Sequence, residues 1–316
     1  MENNDRPLSF VEQVKAIPGG EHVEVCYSCG TCVSKCMIQQ KVEPDYNPRR
    51  LLRMVMMGMR EEAFESPTTW MCSECDLCYA SCPQEIHISG VIGAVKDLAV
   101  EAGYTTPLEV VSVDESLCAG CGICVMTCPY EAPYLIEKEV GGVMDRFSEV
   151  DAEKCMGCGM CVAACPLGAI ARPGVSNAEI VSQIDIKKKR GKKSLAVFVC
   201  DWSLRSDDDV ALLESYPDNV RVIHIPCTGR IDPQMALIAL NSGIDGVLVC
   251  GCAPGECHYK RGTYVSDCKI SLLDTMLGQM RVANGRVRFV QIGTQDRGRI
   301  RHEVDDMLAS LQKEAV

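Results

Sequence analysis

Large side chains are scarce in this chain: two Trp, five Phe and nine Tyr among 316 residues. Small modules so poor in bulk need another anchor, and metal centres can supply one. Long apolar runs are missing too. No window reaches the 18 or so residues of a membrane helix, so no membrane span is expected. The opening MENNDRPLSFVEQVKAIPGG has neither the basic start nor the apolar stretch of an export signal. A cytoplasmic location follows, where thiols stay reduced and grouped cysteines mean metal rather than disulfides. Positive charge is short, with 32 Lys and Arg against 43 Asp and Glu, a net −11. That excludes nucleic acid as a main partner. No G-x-G-x-x-G occurs, so no dinucleotide fingerprint is present. Hydrophobic residues at 47% and charged residues at 24% describe a globular chain of two or three domains.

What the chain has is cysteine, 22 in all. Sixteen fall into one motif repeated four times: Cys26, Cys29, Cys32, Cys36; Cys72, Cys75, Cys78, Cys82; Cys118, Cys121, Cys124, Cys128; and Cys155, Cys158, Cys161, Cys165. Each is Cys-x2-Cys-x2-Cys-x3-Cys, and the last three end in Cys-Pro. Zinc sites generally use two separated Cys-x2-Cys pairs. A run of four instead lets one tight loop point three thiolates at a cubane cluster, the fourth ligand coming from the neighbouring motif. Four [4Fe–4S] clusters with crossed ligation are therefore expected. Cys26, Cys29, Cys32 and Cys82 hold one, and Cys72, Cys75, Cys78 and Cys36 its neighbour. Cys118, Cys121, Cys124 and Cys165 hold a third; Cys155, Cys158, Cys161 and Cys128 hold the fourth. Gly30, Gly122 and Gly159 follow the second cysteine where the loop must turn sharply, and Asp76 takes that place in the second motif.

The spacers separate two modules. Between the first and second motifs lie 35 residues, with Leu52, Val55 and Met59 at helical spacing after Pro48. Residues 88–103 read as a second amphipathic helix. Between the third and fourth motifs lie 26 residues, the length of a compact ferredoxin. The expected fold is multidomain α/β: an N-terminal arm (1–20), a helical ferredoxin module with two [4Fe–4S] clusters (21–106), a bacterial-type βαβ ferredoxin module with two more (107–173), a linker (174–193) and a C-terminal α/β domain (194–316). The basic run IKKKRGKK in the linker reads as a solvated hinge, the sharper alternative being a docking strip for an acidic partner.

In the last domain LAVFV (195–199), VRVIHI (220–225), GVLV (246–249) and VRFVQI (287–292) alternate with helical stretches, a pattern for a parallel sheet. Cys200, Cys227, Cys250 and Cys252 sit at or just beyond strand ends, with Cys257 on the following loop. Carboxyl ends of parallel strands gather at one edge, where ligands bind. Cys200, Cys227, Cys252 and Cys257 then form a four-thiolate site, suited to a [2Fe–2S] cluster or to zinc. Cys250 and Cys268 read as small buried residues; a redox disulfide between Cys250 and Cys252 is the alternative. His258 reads as a neighbour of the site rather than a ligand.

These motifs carry resemblances. Residues 20–105, with CYSCGTCVSKC and WMCSECDLCYASCP, resemble the C-type chain of heterodisulfide reductase. Residues 108–172, with CAGCGICVMTCP and CMGCGMCVAACPLGAI, look like the ferredoxin domain of the A-type chain of heterodisulfide reductase. Residues 194–316, with CDWS, PCTGRIDP and GCAPGECHYKRGTY, resemble the delta subunit of methyl-viologen-reducing hydrogenase. The last resemblance implies a [2Fe–2S] cluster and a role joining a hydrogenase or formate dehydrogenase to a flavin-bearing subunit. Where that family has a second cysteine after the first strand, this chain has Ser203; where it often has Gly-Asn, this chain has Gly262-Thr263. The Cys-Cys motif of the catalytic heterodisulfide reductase subunit is missing. The function expected is an iron–sulfur electron-transfer subunit with no substrate-converting site of its own. Its expected partners are a heterodisulfide reductase A-like flavoprotein, of the electron-bifurcating kind, a B-like or other catalytic subunit, and the donor. The alternatives are a stand-alone polyferredoxin with a structural zinc, and a disulfide reductase using Cys250 and Cys252.

Overall fold

The computed structural model describes residues 7–184, 192–204, 211, 215–282, 285–293, 296 and 298–313. The chain divides into two compact units, 1–108 and 109–316.

The first unit is helical among its described residues. Pro48–Met57 is its central helix: Asn47 caps it by accepting from the Arg50 N–H at 3.0 Å, and Pro48 occupies the first turn. Leu51, Leu52 and Val55 are fully buried from it against Phe10, Val14, Phe64, Trp70 and the helix Ile88–Glu101. Each such side chain contributes about 1.5–3 kcal/mol by leaving water. The helix stops two residues short of Met59, because Gly58 takes φ +73° and closes it. Met59 instead precedes the next helix, Arg60–Glu65. Trp70, one of only two tryptophans, donates its ring N–H to the Phe64 carbonyl at 2.8 Å.

The second unit begins with strands β1 (Ser112–Val113), β2 (Pro133–Val140), β3 (Val143–Val150) and β4 (Ile170–Ala171). β2 and β3 form an antiparallel hairpin turning through Gly141 and Gly142, and β1 pairs antiparallel with β4. Asn177–Ser182 is a helix inside the stretch read as linker. Ser176 and Glu179 form its capping box, and Ile180 and Ile184 are buried in the core that follows. The basic run lies almost entirely outside the described residues.

Then come β5 (Leu195–Cys200), β6 (Val220–Ile225), β7 (Gly246–Cys252) and β8 (Val287–Ile292), a parallel sheet in the order β6-β5-β7-β8. One face is covered by Pro233–Asn241 and Gly262–Gln279, the other by Arg299–Lys313. With both faces covered, β5 and β7 are buried at every position, which is why they read as continuous apolar runs. The helical stretch expected between the first two strands, DDVALLESY (208–216), lies largely outside the described residues. Among the described residues no helix is long and apolar enough to cross a membrane.

Candidate iron–sulfur sites

All four motifs share one backbone device. The residues on either side of the second cysteine both take positive φ: Ser28 and Gly30, Glu74 and Asp76, Gly120 and Gly122, Gly157 and Gly159. Successive left-handed turns expose a concavity of N–H groups that favours an anion. A short helical turn follows at once: Thr31–Ser34, Leu77–Ala80, Ile123–Thr127 and Met160–Ala164. The N–H two residues beyond the second cysteine donates to its sulfur in three motifs, from Thr31 to Cys29, Leu77 to Cys75 and Met160 to Cys158. Asp76 manages φ +58° with help from Ser89, whose hydroxyl donates to its carboxylate, and His87 at 3.4 Å.

In each pair of motifs the structure brings cysteines of one motif beside those of the other. Cys36 lies among Cys72, Cys75 and Cys78, and Cys128 among Cys155, Cys158 and Cys161. Cys82 stands with Cys26 and Cys29 around Tyr27. For the third set, Ser148 ties two members together: its N–H donates to Cys118 Sγ at 3.4 Å and its hydroxyl lies 3.2 Å from Cys124 Sγ. Cys165 packs in the same apolar cluster as Cys124. Burial, then mutual repulsion, pushes the Cys32 thiol up to about 11; burial pushes Cys72 and Cys158 up to about 12. These three buried thiols resist ionisation alone and are suited to a cation-rich core that takes thiolates. Tyr46, buried in the first unit, places its hydroxyl on Cys36 and Cys72.

The C-terminal cysteines converge at the carboxyl edge of the sheet. β5 is the first strand of the sheet and has β6 on one side and β7 on the other, so the strand order reverses between β5 and β7. Such a switch opens a crevice at the strand ends. Cys200 and Cys252 end those two strands with sulfurs 3.9 Å apart. Cys227, just past β6, lies near Cys200 and hydrogen-bonds Cys257 on the loop after β7. The four sulfurs thus stand as two close pairs. Among the described residues no three His, Cys, Asp or Glu side chains converge on a single metal-ion position. The Cys227 thiol, together with N–H groups of Thr263 and Tyr259, holds Cys257 down at about 5 despite burial. Hydrogen bonding to Cys252 and burial push Cys200 well up.

The loop carrying Cys257 is fixed by rings. His258 stacks on Trp202 with centroids 3.4 Å apart, and Tyr259 meets both edge-on. Ser203 donates to the Cys200 carbonyl at 2.8 Å and so closes the turn after β5. Cys250 belongs to the apolar core with Leu248, Val304 and Met307, where burial raises its thiol. Cys252 pairs with Cys200 rather than Cys250. Cys268 is exposed on Gly262–Gln279, which corrects its reading as a buried residue.

Comparison with known proteins matches three segments. Residues 195–313 match the family model "Methyl-viologen-reducing hydrogenase, delta subunit", and residues 22–86 and 110–179 each match a "4Fe-4S dicluster domain". The D-type iron-sulfur chain of the F420-non-reducing hydrogenase of Archaeoglobus profundus is 33% identical over 122 residues, 38% of this chain and 89% of that protein. The A-type chain of the ferredoxin:CoB-CoM heterodisulfide reductase of Methanosarcina mazei is 32% identical over 243 residues, 74% of this chain but 30% of that protein. The C-type chain of the H(2):CoB-CoM heterodisulfide,ferredoxin reductase of Methanothermobacter marburgensis is 34% identical over 98 residues, 31% of this chain and 51% of that protein.

Proposed function

We propose a function from this premise: the chain belongs to the methyl-viologen-reducing hydrogenase delta subunit family through residues 195–313, joined to two 4Fe-4S dicluster domains. It is an iron–sulfur electron-transfer subunit related to heterodisulfide reductase and hydrogenase subunits. Within that class, our reading is a relay between a hydrogenase or formate dehydrogenase type donor and a flavin-containing, bifurcating subunit of a heterodisulfide reductase-like complex. The domain limits proposed are those read from the motifs, 21–106 and 107–173 for the two ferredoxin modules and 194–316 for the last domain.

The observation that carries the reading is the four-thiol site at the strand switch. Two close sulfur pairs, Cys200 with Cys252 and Cys227 with Cys257, suit a two-iron centre that takes two protein ligands on each iron. When bound, a [2Fe–2S] cluster there and [4Fe–4S] clusters in the four motifs would each accept and release one electron. The chain's own residues do the rest. The strands fix the ligand spacing, the Trp202–His258 stack fixes the Cys257 loop, and the N–H groups of Thr263 and Tyr259 offset negative charge at Cys257. No proton transfer is required of any side chain.

The test is Cys257→Ser in the assembled complex. The expected result is loss of donor-to-acceptor turnover with the four-iron clusters retained. Unchanged turnover would sink the assignment. One tightly bound zinc in place of the two-iron centre would favour a polyferredoxin with a structural last domain.

A further inference from the structure

Of the four motifs, only the fourth has its first three cysteines all buried. Cys155, Cys158 and Cys161 are all buried, at 6–7% exposure, whereas Cys29 and Cys121 are exposed. Two arginines contribute to the cover, with the Glu109 carbonyl 3.1 Å from where a Cβ on Gly157 would stand. An ideal Cβ on Gly157 would lie 3.2 Å from Arg172 Nε, and one on Gly159 would lie 2.6 Å from Arg230 Cδ. The two glycines that flank Cys158 are therefore each overlaid by an arginine, and only a residue without Cβ leaves room for Arg230.

Arg230 is 0% exposed and follows the PCTG turn after β6. Its Nε and one terminal nitrogen donate to the Val175 carbonyl at 2.9 and 2.6 Å, and Asn177 accepts from it at 2.8 Å. Among the described residues its remaining nitrogen, Nη1, has no hydrogen-bond partner, and neither does Arg172 Nε. Orphaned donors on buried cations are costly, and a native fold rarely leaves them so. Both guanidinium groups lie within electrostatic reach of the motif, Arg172 of Cys158 and Arg230 of Cys161. Lys269, whose Nζ is likewise buried without a partner, faces Arg230 and Cys227. Asp232 is the carboxylate facing Arg230 and Lys269. The second unit is continuous here: Gly229 abuts Met160, and Cys227 and Tyr259 both neighbour Cys158.

We infer that Arg172 and Arg230 form a clamp over Cys158 that raises the reduction potential of the cluster held by Cys155, Cys158, Cys161 and Cys128, at its junction with the C-terminal four-thiol site. The inference rests on the ligand sets proposed above. Its chemistry is charge. Adding one electron to a thiolate-ligated cluster increases its negative charge, and two cations beside it, Arg230 buried and Arg172 half-buried, favour that state. Both are positioning residues; neither is a ligand. Arg230 has a second effect, since its bonds to Val175 and Asn177 tie the end of the ferredoxin module to the α/β domain.

The experiment is a redox titration of the full-length, cluster-loaded protein followed by electron paramagnetic resonance, with Mössbauer spectra of each variant to count clusters. Arg230→Gln and Arg172→Gln should each shift the reduction equilibrium of one four-iron component at least tenfold toward the oxidised form, a fall of about 59 mV for one electron. Arg230→Lys and Arg172→Lys, which keep the charge, should recover most of that shift. Potentials unmoved in both Gln variants, with all clusters present, would overturn the inference. So would Lys variants displaced as far as the Gln variants, because packing alone would then explain the change. If a Gln variant loses the cluster, the Lys variant at that position decides: a near wild-type potential supports the clamp, and a tenfold shift refutes it. Wild-type spectra without a two-iron component would instead count against the C-terminal assignment and leave the clamp standing.

Discussion

Gly262 gives the sharpest single perturbation of the C-terminal site. It opens the helix Gly262–Gln279, where alanine is ordinarily favoured by about 1 kcal/mol. Here the geometry reverses that preference. An ideal Cβ would lie 2.1 Å from Cys227 Sγ and 3.6 Å from Cys257 Sγ. Against a contact minimum of about 3.5 Å, the sulfur or the helix must give way by roughly 1.4 Å. Ligand constellations tolerate displacements of only about 0.5 Å. Cys227 has one heavy atom beyond Cβ and cannot bend away and still reach a metal. Gly262→Ala should therefore lose the C-terminal centre while the sixteen motif cysteines keep theirs, lowering bound iron from about 18 to about 16 per chain. Gly93→Ala, whose Cβ would meet nothing within 4 Å, is the control. Iron analysis with electron paramagnetic resonance of the reduced protein reads the outcome. A Gly262→Ala protein with full iron and unaltered spectra would refute the reasoning.

Two further outcomes are expected. Tyr46→Phe removes the hydroxyl that reaches Cys36 and Cys72, so the potential of one four-iron component in the first unit should fall, as a redox titration would show; an unmoved potential would mean the hydroxyl does not reach the sulfurs in the loaded protein. Leu51→Ala empties a fully buried position in the helical core and should cost about 2–5 kcal/mol, measured by chemical denaturation followed through circular dichroism.

The loops of the four cysteine motifs and the parallel strands were legible because both are local patterns. Cys-x2-Cys-x2-Cys dictates a loop, and an apolar run of six dictates a strand buried on both faces. Cys200 and Cys252 could be brought together from sequence because strand ends of a parallel sheet share an edge; their 3.9 Å approach adds the strand order, which no local pattern contains. Met59 keeps helical spacing in the sequence, yet the helix ends at Met57 because Gly58 breaks the backbone. The helix Asn177–Ser182 was hidden by the turn residues before it, although Ser176 and Glu179 carry the spacing of a capping box. Arg230, Arg172 and Lys269 left no local signal. A buried cation is defined by what the tertiary fold puts around it, and in sequence each is an ordinary surface residue.

The most direct measurement of the central claim is iron content with Mössbauer spectroscopy on anaerobically purified protein. The expected result is about 18 irons per chain, with one [2Fe–2S] component beside four cubane clusters. About 16 irons, all cubane, with one zinc would contradict it and make the four-thiol site at the strand switch structural.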